Sequence, residues 1–145
     1  MTYEIIFPLR GNIVEVQLSG KLTFEMFRDL HAELYFGGQW RTGMNLLAII
    51  EADADPLGID AHALRTSFRE EIERLAEIRG PEFKVAWVVE NPTYEPLLQQ
   101  WKSMPFIVGR YDIEVFRDRE QGRAWLEEFS ALWPEFELNP GNRSA

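Results

Sequence analysis

Four carboxylates lie close together after one hydrophobic run in the middle of the chain. The run LLAII at 46–50 leads directly into Glu51, Asp53 and Asp55, and Asp60 follows shortly after. Carboxylate oxygens are the usual ligands of Mg²⁺ and Ca²⁺, and an Asp side chain can also act as a nucleophile. A metal-dependent phosphoryl-transfer site is therefore the first chemistry to consider for this segment.

Phosphoryl transfer needs more than these carboxylates. The haloacid-dehalogenase-like enzymes present Asp-x-Asp after a hydrophobic strand, and they also need a Lys or Arg for the phosphoryl charge and a carboxylate pair after a later strand. The next strand of this chain ends in VVENPTYEP, which supplies Glu90 but no Asp pair and no nearby Lys. A metal-dependent enzyme therefore stays only as the third alternative, and we assign no catalytic residue and no metal ligand.

The acidic segment also has a purely structural interpretation. Asp60 is expected to cap a helix, which contributes about 1 kcal/mol. Asp53 and Asp55 favour the positive end of that helix, and Glu51 is expected to be solvated beyond the last strand residue. The open alternative is a carboxylate patch, made of the same four residues, that docks a basic protein partner or loosely holds a cation.

Composition and charge exclude several classes of protein. The 145 residues, 46% of them hydrophobic, are enough for one domain with its own core. A net charge of −9 with scattered basic residues disfavours nucleic acid. The longest apolar runs are far shorter than the roughly 20 residues of a membrane span. The chain has no Cys and no export-type N-terminus, so we expect a cytoplasmic protein without a cofactor.

Hydrophobic periodicity predicts the order β-β-α-β-α-β-α-β-α. The expected strands are 3–7, 13–18, 45–50, 83–89 and 113–116, and the expected helices are 24–36, 60–80, a helix opening at 91–92, and 118–132. Strands that alternate with helices favour parallel pairing. We therefore expect an α/β fold with a five-stranded mixed sheet, mostly parallel with the first strand antiparallel, and about four helices. One domain should cover 1–136, with a frayed tail at 137–145.

Particular segments add a family likeness to this order. They are LSGKLTFEMF at 18–27, LLAIIEAD at 46–53, FKVAWVVEN at 83–91 and IEVFRDREQGRAWL at 113–126. Together they resemble the SpoIIAA-like family, single-domain bacterial proteins related in fold to STAS domains and grouped with lipid-binding Sec14-type domains. The last segment is similar to the closing pattern of the family, although Gly122 stands where an Ala is usual. The resemblance implies a non-catalytic binding or regulatory domain.

The resemblance also bears on a phosphorylation switch. Anti-sigma-factor antagonists of similar fold place an Asp-Ser-x-Gly-apolar motif at the loop between this strand and the following helix. Here the frame reads DPLGI at 55–59, and Pro56 takes the place of the serine. Because proline has no hydroxyl group to phosphorylate, we expect a regulatory domain that acts through protein–protein interaction without this switch.

The aromatic residues leave two binding roles open. Trp40 lies in a polar, glycine-flanked linker, so it either packs on its own domain or reaches a second subunit in a homodimer. Trp87, Trp101 and Phe106 are expected either in the core or, as Sec14-type folds imply, in the wall of a pocket for a small apolar, lipid-like ligand. His31, like the other histidine of the chain, lacks metal-site spacing and is expected at the surface or its boundary.

Overall fold

The helices and strands follow the predicted order, with two short strands added. The computed structural model describes residues 2–58, 61–103 and 112–130. Its elements are β1 (Tyr3–Ile6), β2 (Ile13–Leu18), β3 (Lys21–Thr23), α1 (Phe24–Phe36), β4 (Asn45–Ile50), β5 (Asp55–Gly58), α2 (Ala61–Arg79), β6 (Lys84–Val89), a 3-10 turn (Pro92–Tyr94), α3 (Glu95–Lys102), β7 (Asp112–Phe116) and α4 (Arg119–Ser130). Within these residues, no helix combines the length and the apolar character needed to cross a bilayer.

Five strands form one mixed sheet in the order β1-β2-β4-β6-β7. β1 runs antiparallel to β2, and the other three pairs are parallel. The predicted fold class is therefore confirmed, including the antiparallel first strand. Each crossover advances the sheet in the same direction, and right-handed crossovers of this kind place α1, α2 and α3 on one face. The last helix, α4, packs on the opposite face.

The central strand β4 is buried along its whole length, as its continuous apolar run predicts. Its side chains alternate between two separate cores. Leu46, Ala48 and Ile50 belong to the core under α1–α3, whereas Leu47 and Ile49 belong to the core under α4. Both helical layers therefore pack on the same strand.

The two short strands are absent from the sequence prediction, which assigns 55–59 to a loop. Instead, β5 pairs in parallel with β3 in a separate two-stranded sheet. Asp55 N donates a hydrogen bond to Gly20 O at 2.7 Å. The acidic segment thus contains a turn at 52–53 followed by a strand, so its carboxylates are spread along two elements.

Two helix ends lie where the sequence places them. At the start of α1, Thr23 Oγ1 accepts a hydrogen bond from Met26 N at 3.1 Å. At the end of α2, Gly80 has φ +86°, and its N–H donates to Ala76 O at 3.0 Å. A Cβ atom at Gly80 would lie only 2.8 Å from Thr42 Cγ2, so glycine is needed here for space as well as for conformation.

Gly122 allows α4 to lie close to the sheet. A Cβ atom at this position would lie 3.0 Å from Val88 Cγ2 and 3.2 Å from Leu47 Cδ1. Both of those side chains are fully buried in the middle of the sheet, so they cannot move without displacing their own neighbours. Close packing of α4 therefore accounts for glycine at a position where the family resemblance favours Ala.

Replacement of Gly122 by Leu should lower the free energy of unfolding by about 1–3 kcal/mol, because the added side chain collides with Val88 and Leu47. Ala124→Leu is the matched control, since Ala124 is exposed on the same helix. It should change stability by less than about 0.5 kcal/mol. Urea unfolding, monitored by circular dichroism, measures the stability of both variants. Equal stabilities of the two variants would contradict the close packing of α4.

Candidate functional site

An apolar cavity of about 100 Å³ lies between the sheet and helices α1–α3. The strands β2, β4 and β6 form its floor, and the three helices form its walls. Apart from His31 and Arg79, the described side chains that line it are aliphatic or aromatic. Protein interiors contain few voids larger than one water molecule, so this volume stands out from ordinary core packing.

The floor and the walls contribute different side chains. The floor is lined by Val16, Leu18, Leu46, Ala48, Ile50, Val85 and Trp87, and the helical walls by Phe27, Leu30, His31, Leu34, Ile72, Arg79, Leu97, Leu98 and Trp101. Ala48 is the smallest of these residues and belongs to the middle strand of the sheet. A larger side chain there would project into the cavity, so Ala48 helps to create the space.

The cavity extends toward the surface at the carboxyl edge of the parallel strands. Four of its lining residues, Phe27, Trp87, Tyr94 and Leu97, are only partly buried. Phe27 lies in the first turn of α1, and Tyr94 and Leu97 lie at the start of α3. Open α/β sheets bind their ligands at this same edge, beyond the carboxyl ends of the strands.

The structure places two of the three aromatic candidates among the residues that line this cavity. Trp101 is buried and packs with Ile72 and Ile113. Trp87 is partly buried, and its Nε1 atom is enclosed without a hydrogen-bond acceptor among the described residues. Phe106 lies outside the described residues. That these aromatic residues bind an apolar ligand stays a prediction.

Charged side chains lie between α1 and α2 at the edge of the cavity. His31 Nδ1 is 3.4 Å from Glu71 Oε1, and this contact does not meet the geometry of a hydrogen bond. Arg74 pairs with the same oxygen of Glu71. Arg79 Nε donates to the Tyr35 hydroxyl at 2.9 Å, and its guanidinium lies 5.1 Å from the centre of the Tyr35 ring.

Burial and pairing fix the protonation of this cluster. Burial, with a smaller contribution from the charge of Arg79, lowers the pKa of His31 by more than the neighbouring Glu71 raises it, so the imidazole is neutral at pH 7. The contact with His31 and the ion pair with Arg74 lower the pKa of Glu71 to about 2 despite its burial. Arginine keeps its proton in proteins. Glu71 therefore carries a negative charge, and Arg74 and Arg79 carry positive charges.

The position of His31 corrects one expectation from the sequence. The side chain is only 8% exposed, so it lies in the interior and not at the surface or its boundary. The sequence pattern indicates this burial. Four residues fall at i, i+3, i+4 and i+7 on one apolar stripe of α1, namely Phe27, Leu30, His31 and Leu34. All four line the same cavity.

Trp40 packs on its own domain. Its Nε1 atom donates a hydrogen bond to Ile78 O at 3.2 Å. Its ring meets Tyr35 edge-on, with the ring centres 4.7 Å apart, and lies 5.9 Å from the ring of Phe83. These contacts hold the linker between α1 and β4 against the ends of α1 and α2. A role for Trp40 in binding a partner or a second subunit stays a prediction.

The three described carboxylates after β4 lie in different parts of the segment. Asp53 is exposed in the turn, Asp55 begins β5, and Glu51 lines a shallow polar cleft beside Tyr3. Asp60 lies outside the described residues. Across 2–58, 61–103 and 112–130, no group of three or more His, Cys, Asp or Glu side chains is arranged to hold a metal ion. Docking of a basic partner or a cation by the four acidic candidates stays a prediction.

Comparison of the chain with protein-family models, with characterised proteins and with solved structures finds no match in any of the three. The function therefore has to be inferred from the cavity and from the groups around it.

The buried His31 should make stability depend on pH. Its pKa is lowered in the folded state, so below the unfolded value of about 6.5 the unfolded chain binds a proton that the folded chain does not. The free energy of unfolding should therefore fall as the pH drops from 7 to 5.5. His31→Gln should flatten this dependence, as measured by urea unfolding at each pH.

His62→Gln is the control for this experiment, since it removes the only other histidine of the chain. A flattening that occurs in His31→Gln but not in His62→Gln assigns the pH dependence to His31. An unchanged slope in His31→Gln, or a rise in stability of the original protein as the pH falls, would show that His31 is not buried in its neutral form.

Proposed function

We propose that the protein binds a small apolar molecule in the cavity between its sheet and helices α1–α3, as a carrier or a sensor in the cytoplasm. The supporting observation is a cavity of about 100 Å³ in the middle of the core. If it is left empty, a cavity of this size lowers the free energy of unfolding by about 2 kcal/mol. That is a large share of the roughly 5–15 kcal/mol that stabilises a typical domain. A ligand that fills the cavity restores the missing contacts.

The lining selects for apolar molecules of limited size. Its aliphatic and aromatic side chains offer dispersion contacts, and they offer water few hydrogen-bond partners. An engineered cavity of about 150 Å³ with a comparable lining takes up benzene. By that scale, the space inside the cavity admits a ring or chain of about four carbon atoms. A longer molecule would extend past the partly buried Phe27 and Leu97 toward the surface.

The resemblance to the SpoIIAA-like family, itself a proposal, supports the same role because Sec14-type domains bind lipids. Regulation through a protein partner and homodimer formation stay predictions. Trp40, the residue assigned to such an interface, contacts its own domain through Ile78 and Tyr35. Because the indole of Trp40 donates a hydrogen bond to the Ile78 carbonyl and packs on the Tyr35 ring, removing it would perturb the fold as well as any interface.

Filling the cavity from its floor should prevent binding. Ala48→Leu adds three carbon atoms in the middle of the floor, so its affinity for cyclopentane should fall at least tenfold. The unaltered protein should bind this hydrocarbon at one saturable site and unfold at a higher temperature in its presence. Isothermal titration calorimetry and thermal unfolding measure the two effects.

Ala86→Leu is the matched control for Ala48→Leu. Ala86 is equally small and fully buried on the neighbouring strand, but it belongs to the core under α4. This variant should be less stable by about 1–3 kcal/mol through overpacking and should still bind cyclopentane. If both variants bind cyclopentane as well as the unaltered protein does, or if both lose it, the cavity is not the binding site.

A further inference from the structure

We infer that the ligand of this cavity carries one hydrogen-bond acceptor, an oxygen of the carbonyl type, that binds the indole N–H of Trp87. The inference rests on the proposed function and specifies the class of ligand. Trp87 lines the cavity, and its Nε1 atom is enclosed without an acceptor in the described part of the chain. Buried Trp N–H groups usually have a hydrogen-bond partner, so a partner supplied by the ligand would complete the site.

The enclosed N–H gives the cavity a means of discrimination. A donor that is removed from water without an acceptor weakens the folded state, whereas an acceptor in the adjoining space restores the hydrogen bond. A pure hydrocarbon fills the volume but leaves Nε1 of Trp87 unsatisfied. An apolar molecule with one suitable oxygen both fills the volume and satisfies the donor.

The charge around the cavity also favours an acceptor over a donor on the ligand. Arg79 lines the cavity, is only 5% exposed and keeps its positive charge. No Asp, Glu, Asn or Gln is among the described lining residues. The positive charge of Arg79 attracts the partial negative charge of an oxygen atom.

Cyclopentanone and methylenecyclopentane form a matched pair of probes. The two molecules share one ring and differ by an oxygen atom in place of a CH₂ group. In ¹⁵N-labelled protein, the five Trp side chains give five indole N–H resonances. Cyclopentanone should move the indole proton of Trp87 downfield as it saturates the site, because that proton enters a hydrogen bond. Methylenecyclopentane should bind without this downfield shift.

Trp87→Phe removes the donor and keeps an aromatic ring in the floor of the cavity. The affinity for cyclopentanone should then fall about fivefold to tenfold, the usual effect of one hydrogen bond. The affinity for methylenecyclopentane should change less than twofold. Trp101→Phe is the matched control, since Trp101 also lines the cavity. It should alter the two affinities by the same factor.

The outcomes separate this inference from the proposed function. If both probes bind and Trp87→Phe weakens them equally, the ligand oxygen does not bind Trp87, and the inference is overturned while the cavity stays a binding site. If neither probe binds the unaltered protein, the proposed function fails and the inference falls with it. If Trp87→Phe does not fold, the inference is tested in the unaltered protein by the shift of the Trp87 indole resonance. That resonance can be assigned through the ring protons of the same residue.

Discussion

The burial of β4 on both faces is the constraint on which the rest of the structure depends. All six residues of this strand are buried, so helices must cover both sides of the sheet. The strand order advances in one direction from β2 to β7, which puts three crossover helices on one face and leaves the other to α4. On that face α4 lies very close to the strands, and Gly122 permits that approach.

The two faces of the sheet therefore pack in different ways. Under α4, a single added methyl group at Gly122 would lie 3.0 Å from Val88, so there is no spare volume. Under α1–α3, the small Ala48 stands opposite the helices, and a cavity of about 100 Å³ is left. The indole N–H of Trp87 and the buried Arg79 give that cavity polar groups in its lining. This difference in packing links the topology of the fold to the proposed binding of a small molecule.

Sequence periodicity was sufficient to predict the five strands of the main sheet and the four helices, because each of these elements is long enough to show an apolar pattern. The strands β3 and β5 have three and four residues, and their pairing joins Lys21 to the distant Asp55, so no local pattern indicates them. The burial of His31 could have been predicted from its place on the apolar stripe of α1. The cavity over Ala48 could not have been predicted from the sequence, because it depends on which side chains face Ala48 across the core.

The most direct test of the account is an NMR titration of the methyl-labelled protein with cyclopentane. A binding cavity predicts saturable shifts for methyl groups that line it, such as those of Leu30, Ala48 and Val85, with a stoichiometry of one. The methyl groups of Ile49 and Leu126, which lie under α4, should not respond. Shifts that grow linearly without saturation, or that appear equally on both faces of the sheet, would contradict a binding site in this cavity.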